Sequence, residues 1–158
     1  MILGRKINVD KDLSKINKIL KNNNIDDLEA IKSIDSINKN DIIYVLEDKN
    51  RIIGVCKITV HKDFGIFNYI VISDEHRGEN LGDGLVRAIF NYCLRNCIKT
   101  IIYFGDNKYI IQRGFEKIGY SKLPEDIISV LKQKITGEEL YICDLEYFFS
   151  KGCKCKER

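Results

Sequence analysis

The sequence predicts an α/β (α+β) fold in one domain over 1–158, a mixed sheet with helices on both faces. Three observations predict it. A dense apolar run, 65–72, is followed by a glycine-punctuated turn and then by apolar positions at helical spacing over 85–94. Another apolar run, 99–104, follows that helix, and a strand–helix–strand crossover makes the two strands parallel. Upstream, two apolar runs flank Asp48-Lys49-Asn50, the pattern of a hairpin. At 158 residues the chain is long enough to bury a core.

Taken in order, residues 2–9 form an opening strand, though their apolar content is thin. Asp10 caps a helix through Lys21 that places Leu13, Ile16, Ile19 and Leu20 on one face, and Asn22-Asn23-Asn24 stops it. A second helical pattern runs from Asp26 or Asp27 to about Ile37, with Leu28, Ile31 and Ile34 three apart. Residues 41–47 and 51–60 are the hairpin strands, and Gly54 marks a bulge or a close backbone approach. His61-Lys62-Asp63 turns the chain into the 65–72 strand, whose two apolar faces suit a central position covered by helices.

The helix after the glycine turn runs to about Asn96, with Cys93 and Cys97 in line with Ile89 and Phe90 as small core residues. Gly105-Asp106-Asn107 opens a helix over 108–118, ended by Gly119. Tyr120-Ser121-Lys122 begins a short strand broken by Pro124. Residues 125–134 are helical, with Ile127, Ile128 and Leu131 inward, and 139–145 alternates as the last strand. Residues 150–158 are expected to be a flexible tail carrying Cys153 and Cys155.

Bulk properties exclude several classes. A net charge of +3, dispersed along the chain, does not argue for nucleic acid. No apolar run approaches the roughly 20 residues that span a bilayer. The first residues lack the long apolar region of a signal peptide, so the expected location is cytoplasmic. In that setting six cysteines read as thiols rather than a disulfide framework. Cys93 and Cys97 alone do not complete a zinc site, and no metal is expected.

The chemistry concentrates in His76-Arg77-Gly78-Glu79-Asn80-Leu81-Gly82-Asp83-Gly84-Leu85. Glycines at 78, 82 and 84 let backbone N–H groups face outward, and the helix N-terminus behind them adds partial positive charge. Such a turn is an anion site suited to a phosphorylated ligand, although glycine-rich turns that bind nothing also exist. A P-loop is excluded, because no lysine lies between Lys62 and Lys99. The dinucleotide pattern starting at Gly82 would need glycine where Arg87 stands.

The remaining pattern, Arg77-x-x-Asn80-x-Gly82-x-Gly84, resembles the Gln/Arg-x-x-Gly-x-Gly/Ala signature of the GNAT superfamily, the acyl-CoA-dependent N-acyltransferases. Asn80 stands for the first signature glycine, and Asn tolerates a left-handed backbone best after glycine. Gly114-Phe115-Glu116-Lys117-Ile118-Gly119-Tyr120 resembles the Phe-Tyr-Glu-Lys-Leu-Gly-Phe segment that closes the acetyl-CoA site there. The resemblance covers roughly 41–120.

It implies a mostly antiparallel sheet with a central parallel strand pair. It also implies coenzyme A as acyl-donor cosubstrate. The loop formed by Arg77, Gly78, Glu79, Asn80, Leu81, Gly82, Asp83 and Gly84 would surround the pyrophosphate. The backbone of Ile70, Val71 and Ile72 would hold the pantetheine arm, and Asn107 joins the cofactor-binding set. The two N-terminal helices would form part of the acceptor wall.

The expected reaction moves an acetyl group from acetyl-CoA directly to a primary amine of a small molecule, peptide or protein. No nucleic acid or membrane takes part, and the chain is expected to be a monomer or homodimer. The alternative is an acyl-CoA-binding regulatory or interaction module with little activity. Asn68 stands where many members carry a glutamate base, and an amide cannot titrate. Phe115 stands where many carry the tyrosine that protonates departing CoA. Tyr109, Tyr120 and Tyr103 lie nearby in sequence, and Asp74, Glu75, His61, His76 or a water chain remain as alternative bases.

Overall fold

The structure, a computed structural model, describes residues 1–23, 39–78, 80–131 and 139–156, the last six by backbone alone. The helical pattern expected near 26–37 lies outside the described residues. The strands are β1 (Ile2–Lys6), β2 (Asp41–Asp48), β3 (Arg51–His61), β4 (Phe64–Ile72), β5 (Thr100–Phe104), β6 (Glu116–Lys117) and β7 (Leu140–Asp144). The helices are α1 (Val9–Asn22), α2 (Leu81–Arg95), α3 (Lys108–Ile111), α4 (Glu125–Leu131) and α5 (Leu145–Lys156). The sheet order is β1-β2-β3-β4-β5-β7-β6. Strands β1–β2, β5–β7 and β6–β7 pair antiparallel, and β4–β5 is the parallel pair the crossover requires. Contacts group into two compact units, 1–58 with 68–91 and 59–67 with 92–158.

In the first unit, Lys49 (φ +49°) and Asn50 (φ +66°) make the two-residue turn between β2 and β3, with both central residues left-handed as a type I′ turn demands. Ile16 and Leu20 of α1 pack on Ile43, Val45, Val55, Tyr69 and Val71. The opposite face meets α2, because a Cβ on Gly4 would stand 3.6 Å from Ala88 Cβ and 3.6 Å from Leu46 Cδ2. Gly54 is a close approach: a Cβ there would lie 2.8 Å from Ile72 Cδ1.

The cap of α1 corrects the sequence expectation. Asn8, not Asp10, is the N-cap; its Oδ1 accepts from the Lys11 N–H at 3.4 Å. Asp12 Oδ2 accepts from the Asn8 N–H at 2.8 Å. The same buried carboxylate takes a bidentate pair from Arg5, 2.8 and 3.0 Å from its two oxygens. Arg5 Nε also donates to Glu47 at 2.6 Å, so β1, β2 and α1 meet at one guanidinium. Burial pushes the Asp12 carboxyl up, but the bonds from Arg5 and the Asn8 N–H outweigh it and hold the group below its ordinary value.

In the second unit, Phe64, Ile66, Ile102 and Leu140 pack against Leu123 and against Ile127 and Leu131 of α4. On the other face a Cβ at Gly114 would stand 2.7 Å from the Phe148 ring of α5 and 3.7 Å from Cys143 Sγ. Five local expectations change here. The helix predicted over 108–118 ends at Ile111, because Gly114 (φ +111°) turns the chain under that ring and Glu116–Lys117 joins β7 as a strand. Gly119 consequently precedes a 3-10 turn, Tyr120–Lys122, where a strand was expected. The last strand is followed by a helix, α5, and the backbone expected to be a tail beyond 150 continues it through Lys156.

Cys97 leaves the α2 face altogether. The Ile98 N–H reaches Cys93 O (2.9 Å) and the Cys97 N–H reaches Leu94 O (3.1 Å), which is a Schellman ending with Cys97 left-handed at φ +64°. Cys97 is therefore exposed, while Cys93 is buried as expected.

Candidate functional site

The site is built where β4 runs into α2. Strand β4 is buried along most of its length because it is apolar on both sides, but Asn68 is exposed and Ile70 half-buried. One face of this strand therefore opens to solvent at its middle. The ladder with β5 is registered over Phe64–Ile66 against Thr100–Ile102. Among the described residues that register ends at the Ile66–Ile102 pair, short of Ile70 and Ile72. The Ser73 N–H donates to Ile53 O at 2.8 Å, which turns the backbone groups of Ser73 and Val71 toward β3. Alternation then aims the N–H and C=O groups of Ile70 and Ile72 at the unladdered edge. Of the three residues singled out in this strand, Ile70 and Ile72 present polar backbone there and Val71 does not.

Past Ser73 the chain makes a 3-10 turn, Asp74–His76, held by the His76 N–H on Ser73 O (2.9 Å) and by Ser73 Oγ against His76 Nδ1 (2.9 Å). Gly78 (φ +86°) and Asn80 (φ +59°) are both left-handed. Asn80 thus takes the backbone conformation for which the sequence reading accepted it in place of glycine. Glu79 lies outside the described residues. Helix α2 begins at Leu81, so Gly82 and Gly84 belong to its first turn rather than to the loop.

The Gly84 N–H makes the first intrahelical bond, to Asn80 O at 3.4 Å. The N–H groups of Leu81 and Gly82 precede it at the positive end of the helix dipole. Among the described residues, no atom beyond the local helix lies within 4 Å of a Cβ built on Gly84. Asp83 would oppose an anion here, and Arg87 offsets it from one turn on at 3.0 Å.

Arg77 is held on three sides, by Ile72 O (Nε, 3.1 Å), Asn23 Oδ1 (Nη2, 2.6 Å) and Asp74 Oδ1 (Nη1, 2.8 Å). Sequence reasoning missed Asn23, which it read only as a helix stop. A contact 54 residues away leaves no local signal. The candidate bases at this turn are committed elsewhere: Asp74 to Arg77, Glu75 to Arg51 at 3.4 Å, and His76 to Ser73.

The second unit carries the remaining singled-out residues. Asn107 caps α3, its Oδ1 accepting from the Tyr109 N–H (2.9 Å) and the Ile110 N–H (3.4 Å), while its own N–H donates to Tyr103 Oη at 3.2 Å. Phe115 is buried with ring centroids 5.9 Å from Phe67 and 6.0 Å from Tyr103. Tyr109 is partly exposed under the Arg113 guanidinium, 4.7 Å from the ring centre, and Tyr120 is partly exposed in its 3-10 turn. His61 stacks on Phe64 at 5.7 Å. Tyr141 donates to Glu139 (2.8 Å), which also takes Lys117 (3.0 Å); these bonds lower the Glu139 carboxyl, and the bond to Glu139 raises the Tyr141 hydroxyl.

Solved structures share this architecture. An N-acetylglutamate synthase from Neisseria gonorrhoeae, complexed with coenzyme A and N-acetyl-glutamate, aligns over 92% of this chain at 14% identity and a TM-score of 0.69. The alignment covers 35% of that protein, so the present chain spans about a third of its length. A GNAT-family acetyltransferase from Staphylococcus aureus aligns over 92% of this chain and 99% of its own, at 18% identity and a TM-score of 0.67. PaiA N-acetyltransferase from Thermoplasma acidophilum, in complex with coenzyme A, aligns over 91% and 99% at 10% identity and a TM-score of 0.65. At these identities the likeness establishes the fold. No curated protein sequence matches the chain. Residues 39–122, just over half of the 158, match the profile of the acetyltransferase (GNAT) domain, and the span contains β2 to β5, the Arg77–Gly84 turn and the Gly114–Tyr120 segment. The chain belongs to the GNAT family of acetyltransferase domains.

Proposed function

We propose that this chain is an N-acyltransferase that moves an acetyl group from acetyl-CoA to a primary amine. The observation that carries the reading is the unladdered edge of β4 leading straight into the N–H groups that open α2. An extended chain of amides, such as a pantetheine arm, can hydrogen-bond to the groups of Ile70 and Ile72 as a short added strand. A pyrophosphate at its end then meets the first turn of α2, where the partial positive charge of the helix N-terminus at Leu81 and Gly82 favours an anion.

Acyl transfer to an amine needs the thioester carbonyl polarised, the amine deprotonated and the thiolate released. An N–H on the β4 edge is placed to serve the first need. Asn68, exposed on the same strand, can orient an amine through hydrogen bonds but cannot take its proton, so that proton passes to water. A thiol with pKa about 8.5 leaves as thiolate near neutral pH without a strong acid. Positioning the reactants supplies the larger part of the rate. The acceptor class is an amine on a small molecule, peptide or protein, in the cytoplasmic setting expected from the sequence.

Calorimetric titration with CoA and thiol release from acetyl-CoA across a panel of primary amines test this. The expected results are CoA binding, turnover with at least one amine, and loss of both in Gly82→Glu. A glutamate in the first turn suits the helix dipole, so the fold survives, but it repels the pyrophosphate. Binding without turnover on any amine would instead favour an acyl-CoA-binding module, which the buried, hydroxyl-less Phe115 fits. A folded wild type that binds no CoA removes the reading.

A further inference from the structure

We propose that Arg77 is a positioning residue that clasps the β4–α2 turn to helix α1, and that its guanidinium serves the turn's shape instead of contacting the donor's phosphates. This deepens the reading of the turn as a CoA site and rests on it. A guanidinium has five N–H donors in a planar fork, and here three of its nitrogens are engaged in three directions. Nε holds Ile72 O at 3.1 Å, the last carbonyl of β4 and one of those aimed at the unladdered edge. Nη1 pairs with Asp74 in the 3-10 turn at 2.8 Å. Nη2 reaches Asn23 Oδ1 at 2.6 Å.

Asn23 is itself fixed. It is the C-cap of α1, its N–H bonded to Leu20 O (3.1 Å) and its Nδ2 to Ile19 O (2.8 Å). The fork therefore ties the strand end and the turn to a helix whose Ile16 and Leu20 are wholly buried. The Asp74 pair is solvent-exposed and contributes little. The clasp lies in the bonds to Ile72 and Asn23. Between Ile72 and Arg77 run Ser73 to His76, part of the stretch that brings the chain from the β4 edge to α2. Fixing them before the donor arrives leaves less order to be lost on binding.

Single variants Arg77→Ala, Arg77→Lys and Asn23→Ala, the double variant Arg77→Ala with Asn23→Ala, and Asn23→Asp separate the two roles. The expected loss in CoA affinity is about tenfold for Arg77→Ala and severalfold for Asn23→Ala, with the double variant no worse than Arg77→Ala. Arg77→Lys keeps the charge but not the fork and should fail like alanine. Asn23→Asp keeps the accepting oxygen but gives up the Nδ2 bond to Ile19 O, and should bind more tightly than Asn23→Ala. In turnover, KM for acetyl-CoA should rise with affinity lost while kcat at saturation stays within twofold, a split that general unfolding would not produce. Wild-type affinity in Asn23→Ala beside a large loss in Arg77→Ala, or full retention in Arg77→Lys, would place Arg77 on the ligand and overturn the proposal. Should wild type bind no CoA, the CoA reading fails separately. Amide exchange over 73–78 then decides the clasp, which requires both alanine variants to accelerate it alike and is overturned if Asn23→Ala leaves it unchanged.

Discussion

Gly84 offers the cleanest separation of what the fold needs from what a ligand needs. It sits in the first turn of α2 with a helical backbone, where glycine is about 1 kcal/mol worse than alanine in a helix interior and somewhat less so near the end. Among the described residues, a Cβ there meets no atom beyond the local helix within 4 Å. Gly84→Ala should therefore stabilise the free protein by about 0.5–1 kcal/mol, raising Tm by roughly 1–4 °C for a chain of this size. If the open space belongs to a pyrophosphate, the new methyl pushes an oxygen off the N–H groups of the turn. Loss of one hydrogen bond to a charged group is worth about 1.5–3 kcal/mol, so the dissociation constant for CoA should rise at least about tenfold. Thermal melts and calorimetric titration measure both effects on one preparation. Gly78→Ala is the control with the opposite sign: at φ +86° a Cβ strains the backbone, costing about 1 kcal/mol. A Gly84→Ala protein that is more stable and binds CoA unchanged would refute the assignment of that space.

Three further outcomes follow from the packing. Cys97→Gly should add about 1 kcal/mol, read from the urea midpoint, because the left-handed C′ position at φ +64° disfavours any Cβ; an unchanged or lowered midpoint would contradict it. Asp12→Ala should cost about 2 kcal/mol at pH 7, since the Arg5 guanidinium keeps Glu47 but loses its bidentate partner and the Asn8 N–H loses its acceptor. Because the Asp12 carboxyl titrates below its ordinary value of 3.8 in the folded protein, its contribution is full above that pH and fades as pH falls through the lower folded value; urea melts from pH 7 to 3 should show the two proteins converging. Phe115→Tyr should destabilise by about 2 kcal/mol, because its hydroxyl enters an aromatic cluster, and should raise turnover no more than a few-fold; a tenfold gain in rate without loss of stability would mean the hydroxyl reaches the leaving sulfur.

What was legible in the sequence is what local physics dictates. The parallel pair followed from a buried strand, a glycine turn and an amphipathic helix, and Asn80 was readable as left-handed because few other residues take that conformation at low cost. The errors fall where tertiary contact overrides a local pattern. Residues 108–118 carry a helical pattern, but Gly114 is pinned under Phe148, and the chain bends into β6 to complete pairing with β7. Cys97 fits the α2 stripe by spacing, yet the helix closes at Arg95 because Ile98 packs back through a Schellman bond to Cys93. At the site, the glycines were visible but their division was not. Gly78 answers to backbone conformation and Gly84 to space, and only coordinates distinguish the two.

The same distinction bears on where the chemistry resides. The side chains left as alternative bases beside the turn are engaged in structure, Asp74 with Arg77, Glu75 with Arg51 and His76 with Ser73, and Phe115 lies in an aromatic cluster. What faces the β4 edge is backbone, at Ile70 and in the N–H of Ile72, with the N-terminus of α2 beyond it. A backbone N–H donates at any pH and costs no side-chain entropy to orient, but it cannot accept a proton. A site built this way polarises a thioester and leaves deprotonation to the acceptor itself. The rate with any one amine should then climb with pH toward that amine's own pKa, and amines of different basicity should give profiles displaced by the difference in their pKa values. A single inflection shared by every acceptor would instead reveal a titrating group of the protein, and the division of labour between β4 backbone and solvent would have to be abandoned.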